Sequence, residues 1–182
     1  HATLLNFISY QEAIELAFYG ASVIHPKTLQ PLQRKEIPLF VKSFLNPEQP
    51  GTQVSVGTLI EPLIPCYIRK TDQVLIALSS LDFSFIAEEN IGEIFKLLGM
   101  FKMKVDLIQN SAISFSVCVD NKYKNLDALV AKLRADFKVT VHENVSLYTL
   151  RHATDEALAK LEKDKEILLK QVMQNTVQLV SL

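Results

Sequence analysis

Glycine is scarce in this chain: the 182 residues hold only Gly20, Gly51, Gly57, Gly92 and Gly99, and they are scattered. None falls into GxGxxG or GxxxxGKS/T, the spacings that let backbone amides cradle a nucleotide phosphate at a helix start. Cysteine is scarcer still. Cys66 and Cys118 lie far apart, each in an apolar run and neither in a CxxC, which predicts two buried thiols and neither a disulfide nor a metal site. No apolar run approaches the roughly 20 residues of a membrane span, and the N-terminus lacks a secretion-signal pattern. Nineteen basic against twenty acidic residues leave a net charge of −1 without a basic block, so nothing is built to follow a nucleic-acid backbone. These absences predict a cytoplasmic chain with no membrane, nucleic-acid or metal partner. A hydrophobic content of 48% with 21% charged residues suffices for one large or two small cores.

The densest punctuation lies between Ile8 and Thr52. Ser9 followed by Glu12 reads as a capping box opening a helix with Ala13, Leu16 and Ala17 on its face, and Gly20 suits a left-handed helix end. His25-Pro26 starts a second helical piece through Arg34, where His25 is expected to act as a hydrogen-bonded structural residue. Ile37 to Ser43 reads as a buried strand running into the loop 46–52. This is the tail of an α/β domain.

ISYQEA, FYGA, VIHPKTL, EIPLFVKS and a closing GT resemble, in that order, the end of the kinase domain of the aspartate kinases. Several separately placed elements carry the resemblance, so it is more specific than a lone glycine motif. Relatives of this kind open with a strand and a Lys-Phe-Gly-Gly turn that helps bind phosphate, and this chain contains no such turn. The resemblance therefore implies a C-terminal fragment of a kinase that uses ATP and magnesium in its full length, with no catalytic residue or cofactor site in the fragment and no activity of its own. Many relatives carry a nucleotide-contacting lysine after FGA. Here the position is Ser22, which weakens any nucleotide-binding role there.

From Ile64 onward strands and helices alternate. Val74 to Ser79 reads as a strand, Asn90 and Glu93 as caps of a helix bearing Ile91, Ile94, Phe95 and Leu98, and Val105 to Gln109 as the next strand. Ile113, Phe115, Val117 and Val119 alternate with Ser114, Ser116, Cys118 and Asp120, a strand with one buried face. Leu126, Leu129, Val130, Leu133 and Phe137 mark a second helix, and Lys138 to Glu143 the last strand. The order βαββαβ is that of a ferredoxin-like unit. A partial second copy follows: a strand at Val145 to Leu150, a helix after Thr154, and a hairpin of Ile167–Met173 with Thr176–Leu182. Gln109-Asn110-Ser111 and Gln174-Asn175-Thr176 occupy the same turn in the two copies, an internal-repeat signal. The second copy ends before its second helix and is one strand short, which Pro65 to Lys70 would supply.

The predicted fold class is thus α+β: the tail of an α/β kinase domain and two ferredoxin-like units, the first inserted into the second. The expected division is 1–52 for the kinase tail, 53–63 for a linker, 72–144 for the first unit, and 64–71 with 145–182 for the second.

This pair resembles the tandem ACT domains of the aspartate kinases, which implies binding of a feedback-inhibitor amino acid by the first unit and homodimerisation through the ACT units. Lys104 to Ser114, KVDLIQNSAIS, resembles the family's effector segment. Val105 and Asp106 stand near its start, Asp106 being the carboxylate an amino-acid ammonium requires, while Asn110 and Ser111 add polar groups at the turn. Asn90, Ile91 and Gly92 would offer helix-N-terminal amides to the ligand carboxylate. The second copy has Gln171 where the first has Asp106, which predicts one effector site per chain. Glu88 and Glu89 favour a basic ligand side chain yet oppose its carboxylate. Lysine is the expected effector and threonine the alternative. The rival expectation is a dimerisation module without a ligand.

Overall fold

The computed structural model describes residues 2–21, 23–82 and 84–182. Its elements fall in two compact units. The first comprises the chain up to Ile68 with Thr149–Leu161 and Met173–Val177; the second comprises Arg69–Tyr148, Glu162–Val172 and Gln178–Leu182.

In the first unit, β1 (Phe7–Ser9), β2 (Leu39–Val41), β3 (Thr52–Ser55) and β4 (Ile60–Glu61) form a sheet of order β2-β3-β1-β4, with β1 and β3 parallel. The helices α1 (Tyr10–Tyr19) and α2 (Pro26–Arg34) lie between the parallel strands in sequence. Ile8, Ala13, Leu16, Leu29, Val54 and Ile60 close the core. Ser9 is the N-cap of α1, its Oγ accepting from the Glu12 N–H at 3.1 Å. Gly20 ends the helix at φ 120°. Only half of the expected capping box forms, because the Glu12 carboxylate is engaged elsewhere. Replacing Ser9 by Ala is expected to cost about 1 kcal/mol, read as a lower urea midpoint. His25 caps α2 through Nδ1, which accepts from the Lys27 N–H at 3.1 Å.

Two expectations are corrected here. The strand at 37–43 shrinks to Leu39–Val41 and is not buried, with Phe40 54% exposed. It has a neighbour on one side only, so the apolar run that suggested burial sits at a sheet edge. The expected linker 53–63 is no linker either, since it supplies strand residues of β3 and β4 and places Val54 and Ile60 in the core. Single apolar residues among polar ones were too short a pattern to read. Gly51 before β3 has φ 70°, and a Cβ there would meet the Val41 carbonyl oxygen at 2.3 Å, which accounts for glycine in that turn.

The remaining strands are β5 (Cys66–Ser80), β6 (Lys104–Asn110), β7 (Ser114–Asp120), β8 (Phe137–Arg151), β9 (Ile167–Met173) and β10 (Thr176–Ser181), in the order β6-β7-β5-β8-β10-β9. The helices are α3 (Glu88–Met100), α4 (Leu126–Leu133) and α5 (Asp155–Glu162). The fold class is the expected α+β, and the first βαββαβ order is present as β5-α3-β6-β7-α4-β8. The strands read as separate on either side of residues 72 and 144 are continuous 15-residue strands, β5 and β8. Asp72 and Asn144 sit inside them at φ 57° and 56°, a conformation that Asp and Asn tolerate better than most residues.

In the second unit Val74, Ile76 and Leu78 of β5 and Phe115, Val117 and Val119 of β7 pack with Ile94 and Leu98 of α3 and Leu126, Leu129 and Leu133 of α4. A separate cluster joins Leu75, Leu107, Cys118, Val145, Leu147 and Val180. Cys118 is therefore buried where the alternation left room for a polar residue. Helix α3 starts one turn earlier than expected. Its N-cap is Ala87, and Asn90 is the third helical residue, with Oδ1 accepting from the Ala87 N–H at 3.0 Å. Glu93 does not cap; it pairs with Lys96 on the exposed surface at 3.4 Å.

Candidate functional site

Asp106 lies in a β-bulge of β6. Val105 faces Val119 and Leu107 faces Cys118 across the β6–β7 ladder, while Asp106 has no residue opposite. An extra residue of this kind re-aims a side chain. The Asp106 side chain is 7% exposed and accepts from Lys70 Nζ at 2.9 Å; the largely exposed Lys104 Nζ stands 3.4 Å from the same oxygen, Oδ1. Lys70 itself is 18% exposed. Beside them burial, and then the Asp106 carboxylate, push the Cys118 thiol up to about 12, so it stays protonated and unreactive. A nearly buried carboxylate is thus paired with a primary ammonium.

The other expected site residues gather at the end of the sheet. Asn110 is exposed at the end of β6. The Ser111 N–H donates to the Ser114 carbonyl at 2.8 Å, and the two hydroxyls lie 2.7 Å apart. The Ala112 carbonyl accepts from the Ile86 N–H at 2.9 Å, which fastens the β6–β7 turn to the segment before α3. Asn90 lines a cavity of about 280 Å³ with Ser80, Asp82, Ser84 and Asp136. The Asp82 carboxyl is held below its ordinary range by hydrogen bonds from Ser84.

Helix α3 offers only one of the three amides expected of it, that of Asn90 in its first turn. The Ile91 N–H is spent on the Ala87 carbonyl and the Ile91 side chain packs on the core, while Gly92 lies one residue further into the helix. The free amides belong to the turn led by Glu88 and Glu89. Asp106 also stands apart from this end. Asn110 lies four positions further along β6, about 13 Å of strand. Within one chain Asp106 and this end of the sheet are therefore separate. Lys70 was missed because a lysine at the end of an alternating strand reads as solvated; the alternation of Cys66, Ile68 and Lys70 on one side of β5 was the available signal.

The first unit holds a second charged cluster. Glu12, 4% exposed, accepts from Arg151 Nε at 3.1 Å on Oε1 and from Nη2 at 2.6 Å on Oε2, and its Oε1 lies 3.0 Å from His152 Nε2. Arg151 Nη1 donates to Thr176 Oγ1 at 2.6 Å. The Glu12 hydrogen bonds raise the Arg151 pKa further. His152 Nδ1 stands 3.4 Å from Asn175 Nδ2, where it can accept from the amide while Nε2 donates to Glu12. Ser22 lies outside the described residues.

Residues 1–43 match the amino acid kinase family. Over 156 residues the chain is 32% identical to the lysine-sensitive aspartokinase 3 of Escherichia coli, an alignment covering 82% of this chain and 34% of that one. Aspartokinase 1, chloroplastic, of Arabidopsis thaliana is 30% identical over 124 residues, 65% of this chain and 21% of its own. The structure of E. coli aspartokinase III in complex with lysine and aspartate in the T-state superposes with a TM-score of 0.75 at 28% identity, covering 97% of this chain and 42% of that one. The chain belongs to the aspartokinase family. It corresponds to a C-terminal region with ACT-type regulatory units and spans about a third of the E. coli relative's length. The Clostridium acetobutylicum aspartate kinase shares the fold, with a TM-score of 0.82 at 18% identity over all of this chain and 46% of that one. Among the described residues no helix is long and apolar enough to cross a membrane.

The glycines here do not form a phosphate cradle. Gly20 ends a helix, Gly92 and Gly99 lie inside α3, and Gly51 and Gly57 pack against Val41 and Phe7. None heads a strand-to-helix turn.

Proposed function

We propose that this chain is the feedback-regulatory portion of an aspartokinase, which phosphorylates aspartate with ATP at the head of the pathway to lysine, threonine and methionine. Nucleotide and magnesium would be held by parts of the enzyme outside this chain, and the chain alone transfers no phosphate. Its first ACT unit, 72–144, binds an amino acid, lysine before threonine, with Asp106 as the counter-charge to the ammonium. One observation carries this reading: Asp106 already holds a primary ammonium, that of Lys70, at 2.9 Å in a largely dehydrated place. Its support is the relative described as lysine-sensitive and the structural neighbour described in complex with lysine.

A second copy of the chain would bring its own turn and α3 start toward Asp106 and so join the two groups into one site. Strand β6 is a sheet edge carrying the exposed Ile108, and such an edge calls for a partner. The effector would then act by favouring one arrangement of the assembly, with a coupling of about 1 to 3 kcal/mol. Calorimetric titration of the chain with lysine and with threonine tests this. Saturable heat with lysine, lost in Asp106→Asn, is the expected result. Silence from both ligands at millimolar concentration, in a chain that is dimeric by light scattering, establishes the rival reading of a dimerisation module.

A further inference from the structure

The Lys70–Asp106 pair does more than neutralise a carboxylate, given the reading that Asp106 takes the effector's ammonium. Lys70 presents the same chemical group as that ligand: an alkylammonium with three donors on a flexible stem. Its Nζ lies 2.9 Å from Oδ1, and both side chains are mostly buried. The competing cation Lys104 is largely exposed, 3.4 Å away, and is screened by solvent. The bulge at Asp106 points the carboxylate to where Lys70 can reach it.

We propose that Lys70 is a built-in competitor for the effector: its tethered ammonium occupies Asp106 in the ligand-free chain and must leave before an amino acid can bind. A tethered group competes at a high effective concentration, of millimolar order for short flexible tethers, so Lys70 sets the effector level at which the site responds. The competitor is also placed to report its own displacement. Lys70 stands two residues after Ile68, where β5 passes from one compact unit into the other. Its neighbour Arg69 is fixed, bonded to Ser146 Oγ at 3.1 Å and stacked over the Tyr148 ring at 5.3 Å. Between this fixed point and the left-handed Asp72, Lys70 is the residue whose partner the ligand removes.

The test compares lysine titrations of the unaltered chain, Lys70→Met and Lys70→Arg by calorimetry. If the closed pair outnumbers the open form about tenfold, Lys70→Met tightens the apparent Kd by about tenfold, while Lys70→Arg keeps a competing cation and stays weak. An unchanged or weaker Kd in a folded Lys70→Met chain overturns the proposal and leaves the effector site standing. Absence of lysine binding in both the unaltered and the Met chain overturns the site and the proposal together. A second measurement needs no Lys70 variant. In the chain labelled with 15N-lysine, Lys70 Nζ should give a slowly exchanging NMR signal that is missing in Asp106→Asn. That signal should disappear as unlabelled lysine saturates the site; its persistence at saturation overturns the proposal.

Discussion

Replacing Glu12 by Ala is expected to destabilise the first unit by about 3 to 5 kcal/mol, the usual cost of removing one partner from a buried ion pair. The reason is what remains behind. Arg151 donates to both Glu12 oxygens and cannot give up its proton, so the variant leaves a guanidinium, 14% exposed, with only the neutral Thr176 Oγ1 and the Tyr19 ring beside it. His152 loses the acceptor for Nε2. A double variant, Glu12→Leu with Arg151→Met, should recover most of the loss, because a well-packed apolar pair is often as stable as the ions it replaces. Urea unfolding followed by circular dichroism reads both effects. A Glu12→Ala midpoint indistinguishable from the parent's would mean that the cluster is not what joins α1 to the end of β8 and to the β9–β10 turn.

Phe115→Ala should cost about as much, 3 to 5 kcal/mol, through a different mechanism. The ring is 1% exposed between β7 and the two helices, and meets Phe95 edge-on with centroids 6.0 Å apart. Its removal leaves a cavity under strand residues that cannot collapse without shifting the ladder that also positions the Asp106 bulge. The expected readings are a lower thermal midpoint and weaker lysine binding in the same variant. Phe115→Leu should restore much of both, since it refills most of the volume. A thermal midpoint unchanged in Phe115→Ala would show that this core tolerates the void.

Much of the fold was legible because it rested on short-range rules. The cap at Ser9, the helix end at Gly20, the His25-Pro26 start and the 3.6-residue stripe of α3 depend on neighbours within a turn or two, and each stands where the residues placed it. The start of α3 was misjudged because Asn90 can serve as an N-cap or, as it does, reach back from the third helical position. The site was less legible. Asp106 was singled out by its motif, but nothing local says that a bulge re-aims it or that Lys70, a different strand's residue, holds it. Glu12 shows the same limit, since its capping spacing from Ser9 concealed a partner 139 residues away.

The sequence by itself determined the family and the alternation of strands and helices. These are written in residue types and spacings, which local sterics and burial translate directly. Only the tertiary structure decided which charges meet: Lys70 with Asp106, and Arg151 and His152 with Glu12. A charge's partner is chosen by the register of distant strands and by the free energy of leaving it unpaired out of water, and no spacing along the chain records either.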